Sequence, residues 1–237
     1  MYKKYIVANW KELPNTWAQA EELLDFLGEQ LSLEISDKVD IVLCPPSKYM
    51  TQVSEILQKE PLSELVELGA QDIGVDSNDD LKNLGVEYVI IGHSSRRVFE
   101  SNEIVNQKLK LAIKNGLIPI VCIGESARDE NFETFLKDQF SATFAGLSAD
   151  EIGKCFIAYE PVWAISTNPG AKPDSPDETR KALVVLRPLA PTSPLLYGGS
   201  VTPTNAKDFL SMPEISGVLI GGASIRKEEF VEILKHI

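Results

Sequence analysis

Eight short runs of apolar and β-branched residues recur along the chain, each followed by a longer amphipathic stretch. This alternation constrains the fold more than any other feature. The runs are Tyr5–Ala8, Asp40–Cys44, Val66–Ala70, Tyr88–Ile91, Ile118–Ile123, Phe156–Tyr159, Leu195–Tyr197 and Val218–Ile220. Near-continuous apolar runs of this length are the pattern of parallel strands covered on both faces. The stretches Thr16–Leu31, Lys48–Gln58, Asn78–Leu84, Glu103–Asn115, Glu130–Phe144, Pro176–Leu189, Thr204–Leu210 and Lys227–Lys235 read as helices. In Thr16–Leu31 the residues Ala20, Leu23, Leu24, Leu27 and Leu31 fall on one helical face. Ser175 followed by Pro176 is a helix start, with Ser as N-cap and Pro in the first helical position.

Eight βα units in 237 residues, with no linker-like stretch between them, predict one (β/α)8 barrel domain over 1–237. A doubly wound open sheet would use the same alternation, and periodicity does not separate the two. The absence of G-x-G-x-x-G after the first strand weighs against the dinucleotide-binding version of that sheet.

Charge narrows the partners. Lys+Arg 23 against Asp+Glu 35 gives a net charge of −12. A polyanion binder needs a basic face to release counterions, so no nucleic-acid partner is expected. A small anion remains possible where local donors override the acidic background. Cys44, Cys122 and Cys155 each lie in or at the end of an apolar run, as buried free thiols do, and suggest a reducing compartment. The start MYKKYIVANWK has too short an apolar run for a signal peptide, and no stretch would span a membrane. A cytoplasmic protein with no membrane partner is expected.

Polar residues collect just after the strand runs, where ligands bind in either α/β architecture. Asn9-Trp10-Lys11 follows the first run, Gly92-His93-Ser94 the fourth and Glu160-Pro161-Val162-Trp163 the sixth. Gly198-Gly199-Ser200 follows the seventh, and Gly221-Gly222-Ala223-Ser224 the eighth. Singly, each has a bland reading: a solvated lysine, a core histidine, tight glycine turns. A carboxylate directly after FIAY is harder to dismiss, because it must be paired, hydrated or used. Together they form a chemical set. Glu160 can abstract a proton, His93 can polarise or protonate an oxygen, and Lys11 can stabilise negative charge. The glycine turns can offer backbone N–H groups to a phosphate without any net positive charge. No metal-ligand spacing or cofactor fingerprint is present, so proton transfer without a metal or cofactor is the expected chemistry.

At these residues the sequence resembles the triosephosphate isomerases, nearly from end to end. The matching segments are VANWK (7–11), GAQD (69–72), YVIIGHS (88–94) with Arg96-Arg97, and PIVCIGE (119–125), then AYEPVWAI (158–165), YGGSV (197–201) and GVLIGGASI (217–225). The resemblance implies a TIM barrel that interconverts dihydroxyacetone phosphate and D-glyceraldehyde 3-phosphate through an enediolate, a step of glycolysis and gluconeogenesis. It implies that Glu160 is the base, His93 the neutral electrophile, and Lys11 the stabilising cation with Asn9 beside it. It further implies a phosphate on the backbone N–H groups of Ser166, Ser200, Gly221 and Gly222. The segment after Trp163 would close over the substrate and exclude water.

The chain departs from that pattern in places. Between Gln71 and His93 it is roughly nine residues shorter than expected from the resemblance, a large cut for one connection. Ser95 stands where the resemblance expects a glutamate, and the stretch after Arg97 is slightly shorter. The segment from Ala164 to Asp174 is longer by about three residues. In related dimers the third loop crosses into the partner, so a monomer or a different dimer interface is expected here. A sugar-phosphate-binding scaffold with reduced catalysis, or another aldose–ketose isomerase, are the competing readings.

Overall fold

The computed structural model describes residues 3–31, 37–75, 81–165 and 174–237. Its strands are β1 (Lys4–Asn9), β2 (Val39–Cys44), β3 (Val66–Ala70), β4 (Val86–Ile91), β5 (Ile118–Ile123), β6 (Phe156–Tyr159), β7 (Leu195–Tyr197) and β8 (Gly217–Ile220). All pair in parallel and in sequence order, and β1 pairs with β8 from Tyr5↔Gly217 to Ala8↔Ile220. The sheet is therefore a closed (β/α)8 barrel, and the open-sheet alternative is excluded.

Strand side chains alternate between two faces, and both faces are buried. Inside the barrel pack Val7, Val42, Cys44, Ile90, Ile120, Cys122, Ala158, Leu196 and Leu219. At the amino-terminal end Phe156 meets Tyr5 and Tyr88 edge-on, with ring centroids 4.7 and 5.8 Å apart. The alternate residues, among them Ile6, Ile41, Leu43, Val89, Val121, Ile157 and Val218, face the helices in a second layer. The three cysteines are free and buried, and burial pushes each thiol above its ordinary value.

The surrounding helices are α1 (Trp17–Gln30), α2 (Met50–Leu57), α3 (Ser94–Arg97), α4 (Asn102–Lys114), α5 (Phe132–Thr143), α6 (Ala149–Gly153), α7 (Pro176–Leu186), α8 (Ala206–Leu210) and α9 (Lys227–Leu234). Thr16 and Gln19 cap α1 reciprocally, and Ala20, Leu23, Leu24 and Leu27 form its buried face. Ser175 caps α7 by accepting the N–H of Glu178 at 3.3 Å, with Pro176 at the first position. The stretch Asn78–Leu84, expected as a helix, contains a 3₁₀ turn at Leu81–Leu84; residues 78–80 lie outside the described ones. Four residues before the Gly85 turn are too few for a stable α-helix. Among the described residues no helix is long and apolar enough to cross a membrane.

Candidate active site

The two-residue phase of the strands carries the polar residues inward past the strand ends. In β1 the inward series Tyr5, Val7, Asn9 continues to Lys11. In β6 Phe156 and Ala158 continue to Glu160, and in β8 Leu219 continues to Gly221. His93 does not follow that phase, since Ile90 is the inward residue of β4 and Gly92 its successor. Gly92 sits at φ 68°, and this left-handed step starts the turn into α3, for which His93 is the N-cap. Lys11, His93 and Glu160 all line one cavity of about 190 Å³, with Ser200, Gly221 and Gly222 on its other walls. An open groove of about 610 Å³ between Leu13 and Glu229 is larger but has no comparable base and electrophile.

Glu160 and His93 are both buried, and Nε2 of His93 lies 3.1 Å from Oε1 of Glu160. The other carboxylate oxygen, Oε2, accepts the backbone N–H of Ser94 at 2.9 Å. On the far side of the imidazole, Nδ1 accepts the N–H of Ser95 at 3.2 Å, with Ser95 Oγ 2.9 Å away. A ring nitrogen that accepts a backbone N–H cannot carry the proton of a neutral imidazole. The arrangement therefore assigns that proton to Nε2, facing the cavity.

Lys11 adopts φ 54°, a left-handed conformation that costs a side-chain-bearing residue about 1–3 kcal/mol. Its surroundings fix it there. Asn9 Oδ1 accepts the Lys11 N–H at 3.0 Å, and Gln71 Nε2 donates to the Lys11 carbonyl at 2.7 Å. The same Gln71 nitrogen donates to the Cys44 carbonyl at 2.9 Å, joining three strand ends. Asn9, expected beside Lys11 on the substrate, is buried, and its side chain supports the Lys11 backbone. Gln71 was missed as a site residue. It lies in the GAQD segment, on the inward phase of Gly69, and that position was the available signal.

Behind Glu160 the chain approaches closely. A Cβ on Gly124 would fall on the Glu160 carbonyl oxygen, so only glycine lets the ends of β5 and β6 converge. The Cys122 thiol is pushed well up by burial and then by the neighbouring Glu160 charge, with Arg97 opposing. The buried Glu125 accepts from Tyr159 OH and from Trp163 Nε1, each at 2.9 Å, and Arg128 lies 3.3 Å away. Trp163 is thereby pinned three residues beyond the base. Sequence reading did not give Glu125 or Arg128 a role, because their partners lie up to 50 residues away.

The glycine turns are held from outside. Asn205 donates to the Ser200 carbonyl at 2.9 Å and accepts the Thr202 N–H at 2.8 Å. Ser224 donates to the Gly221 carbonyl through its N–H at 2.8 Å and its hydroxyl at 2.7 Å. Ser166, expected as a further phosphate donor, lies outside the described residues. Among those residues no group of His, Cys, Asp and Glu could hold a metal ion.

A cavity with a carboxylate, an imidazole, a lysine and two glycine turns suits proton transfer on a small phosphorylated carbonyl compound. Comparison with known proteins is specific. The triosephosphate isomerase family matches residues 4–237. The triosephosphate isomerase of Carboxydothermus hydrogenoformans is 37% identical over 256 residues, covering 99% of each chain. That of Dictyoglomus turgidum is 36% identical, covering 99% of this chain and 100% of its own. A Shewanella triosephosphate isomerase is 38% identical over 251 residues, with 96% and 95% covered. Such a match spans every strand of the barrel and every residue of the cavity, and the chain belongs to the triosephosphate isomerase family.

Proposed function

We propose that Glu160, His93 and Lys11 carry out the interconversion of dihydroxyacetone phosphate and D-glyceraldehyde 3-phosphate, the activity of this family. The carrying observation is that Glu160 and His93 lie 3.1 Å apart on the wall of one cavity with Lys11. Glu160 takes a proton from the carbon beside the carbonyl and returns it to the neighbouring carbon. The Nε2–H of His93 protonates the enediolate oxygen that was the carbonyl's, and the bared Nε2 recovers a proton from the adjacent hydroxyl. Lys11 stabilises the negative charge that develops between these steps. The phosphoryl group rests on the backbone N–H groups of Ser200, Gly221 and Gly222, with Ser166 as a further donor. A coupled assay with D-glyceraldehyde 3-phosphate tests the assignment. Glu160→Ala lowers turnover by about 10²–10⁴-fold, as loss of a general base does; unchanged turnover would overturn it.

We infer further that the protein is a monomer or a dimer built on a different face. The short connection from Gln71 to His93 and the presence of Ser95 support this reading. Where the resemblance expects a glutamate, Ser95 turns to Nδ1 of His93, and Asn9 and Gln71 hold the Lys11 backbone, which supports a reading of retained turnover. Val98 and Phe99, 75% and 85% exposed, are the apolar side chains that such a different interface would cover. Light scattering that shows a tight dimer burying the 72–80 segment would refute it. The three buried, free thiols support a reducing, cytoplasmic setting.

A further inference from the structure

The cavity of an acidic protein must receive a dianion while its own wall carries Glu160. Of the residues that line it, Lys11 and Arg226 are the cations. Both lie against the same turn. A Cβ on Gly221 would stand 3.1 Å from Lys11 Cε, and one on Gly222 would stand 3.4 Å from Arg226 NH1. The Arg226 guanidinium is half exposed, yet it is not left to wander. Its Nε and NH2 donate to the two carboxylate oxygens of Glu229 at 2.6 and 2.7 Å. This two-pronged pairing fixes the plane of the guanidinium and leaves NH1 as the nitrogen directed at Gly222. Its backbone is also set, since the Arg226 carbonyl accepts the first helical N–H of α9, from Phe230, at 2.9 Å.

We propose that Arg226 is a second cationic anchor for the substrate's phosphoryl group, aimed at the Gly221–Gly222 turn by Glu229. The proposal rests on the reading that places the phosphoryl group at that turn. Because Glu229 cancels most of its charge at long range, Arg226 acts as a donor at contact and contributes little to steering. An interaction of this kind is made equally in the bound ground state and the transition state, so its loss raises KM more than it lowers kcat.

The test compares Arg226→Met, Glu229→Gln and Gly222→Val in the full-length protein. The readouts are KM and kcat for D-glyceraldehyde 3-phosphate, the inhibition constant of inorganic phosphate, and kcat/KM for D-glyceraldehyde, which lacks the phosphoryl group. In Arg226→Met, KM and the phosphate inhibition constant rise about tenfold, the loss of one charge-assisted hydrogen bond at a partly exposed site. Turnover falls by less, and the glyceraldehyde constant moves far less than either. Glu229→Gln shifts KM in the same direction by a smaller factor. If Gly222→Val weakens phosphate binding and Arg226→Met does not, the anchor is wrong and the glycine cradle stands. If neither variant weakens it, the placement of the phosphoryl group is itself wrong. An equal loss with glyceraldehyde and with the phosphorylated substrate would also overturn the proposal, because it would mark a merely structural role.

Discussion

Gln71 holds the carbonyl oxygen of Lys11 at 2.7 Å from a strand end two places round the barrel. The contact joins a residue with no chemistry of its own to the lysine that the reaction needs, and it stabilises a left-handed backbone at φ 54°.

Replacement of Gln71 by Leu removes both donations, to Lys11 and to Cys44, at similar volume. The Cys44 carbonyl keeps the Trp10 N–H at 3.1 Å, but the Lys11 carbonyl left without its donor costs about 1–3 kcal/mol of stability. Release of the Lys11 backbone displaces its ammonium group, and a shift of about 1 Å costs on the order of 10²-fold in rate. Thermal unfolding and steady-state kinetics on the variant check both effects; a kcat within twofold of the parent would rule out the positioning role.

Lys108 on α4 is buried, with Asp72 Oδ1 and Oδ2 at 2.8 and 2.7 Å and Glu100 Oε1 at 2.7 Å. Arg96 pairs with the same two carboxylates from the exposed side. Lys108→Met leaves two acidic groups short of their buried cation, and breaking such a pair costs about 3–5 kcal/mol. Chemical denaturation shows this as a lower midpoint with an unchanged slope. A loss below about 1 kcal/mol, the range of an exposed ion pair, would mean that Arg96 alone satisfies the carboxylates.

At the opposite end of the barrel, partial burial raises the carboxyl of the still solvent-exposed Glu67 above its ordinary value, and the charges of Asp40 and Glu87 add to the shift; a hydrogen bond with Tyr88 opposes it. A carboxyl raised in the folded state binds its proton more tightly there than in the unfolded chain. Its contribution to stability is therefore full below the unfolded value and is lost as pH rises through the folded one. Glu67→Gln keeps an oxygen for Tyr88 and removes the charge. The variant is expected to unfold at a higher temperature than the parent at pH 7, with the difference vanishing near pH 4. Scanning calorimetry at the two pH values decides it, and a parent more stable than the variant at pH 7 would reverse the sign.

Much of this was legible before folding. The apolar runs locate every strand to within two residues, and Thr16, Ser175 and the leucines of α1 mark helix starts and faces. The start of β4 was missed by two residues because Glu87 interrupts the apolar run at an exposed outer position. In the site, Lys11, His93, Glu160 and the glycine turns stand out as polar or flexible residues directly after apolar runs. Gln71, Glu125, Arg128 and Arg226 do not, because a side chain that serves another through one hydrogen bond leaves no periodic trace. Arg226, after a glycine turn and before a helix of charged residues, reads as an ordinary solvated face until its NH1 is seen beside Gly222.

The sequence alone determined the number of βα units and the chemical identity of the polar set, since these depend on local pattern and residue type. The tertiary structure decided what local pattern cannot carry. Pairing of β1 with β8 turned an alternation compatible with two architectures into a closed barrel, through hydrogen bonds across more than two hundred residues. The left-handed Lys11 and the Nε2 proton of His93 depend on donors and acceptors that only folding brings within reach. A side chain's type fixes what it can do; its neighbours in space fix which of those things it does.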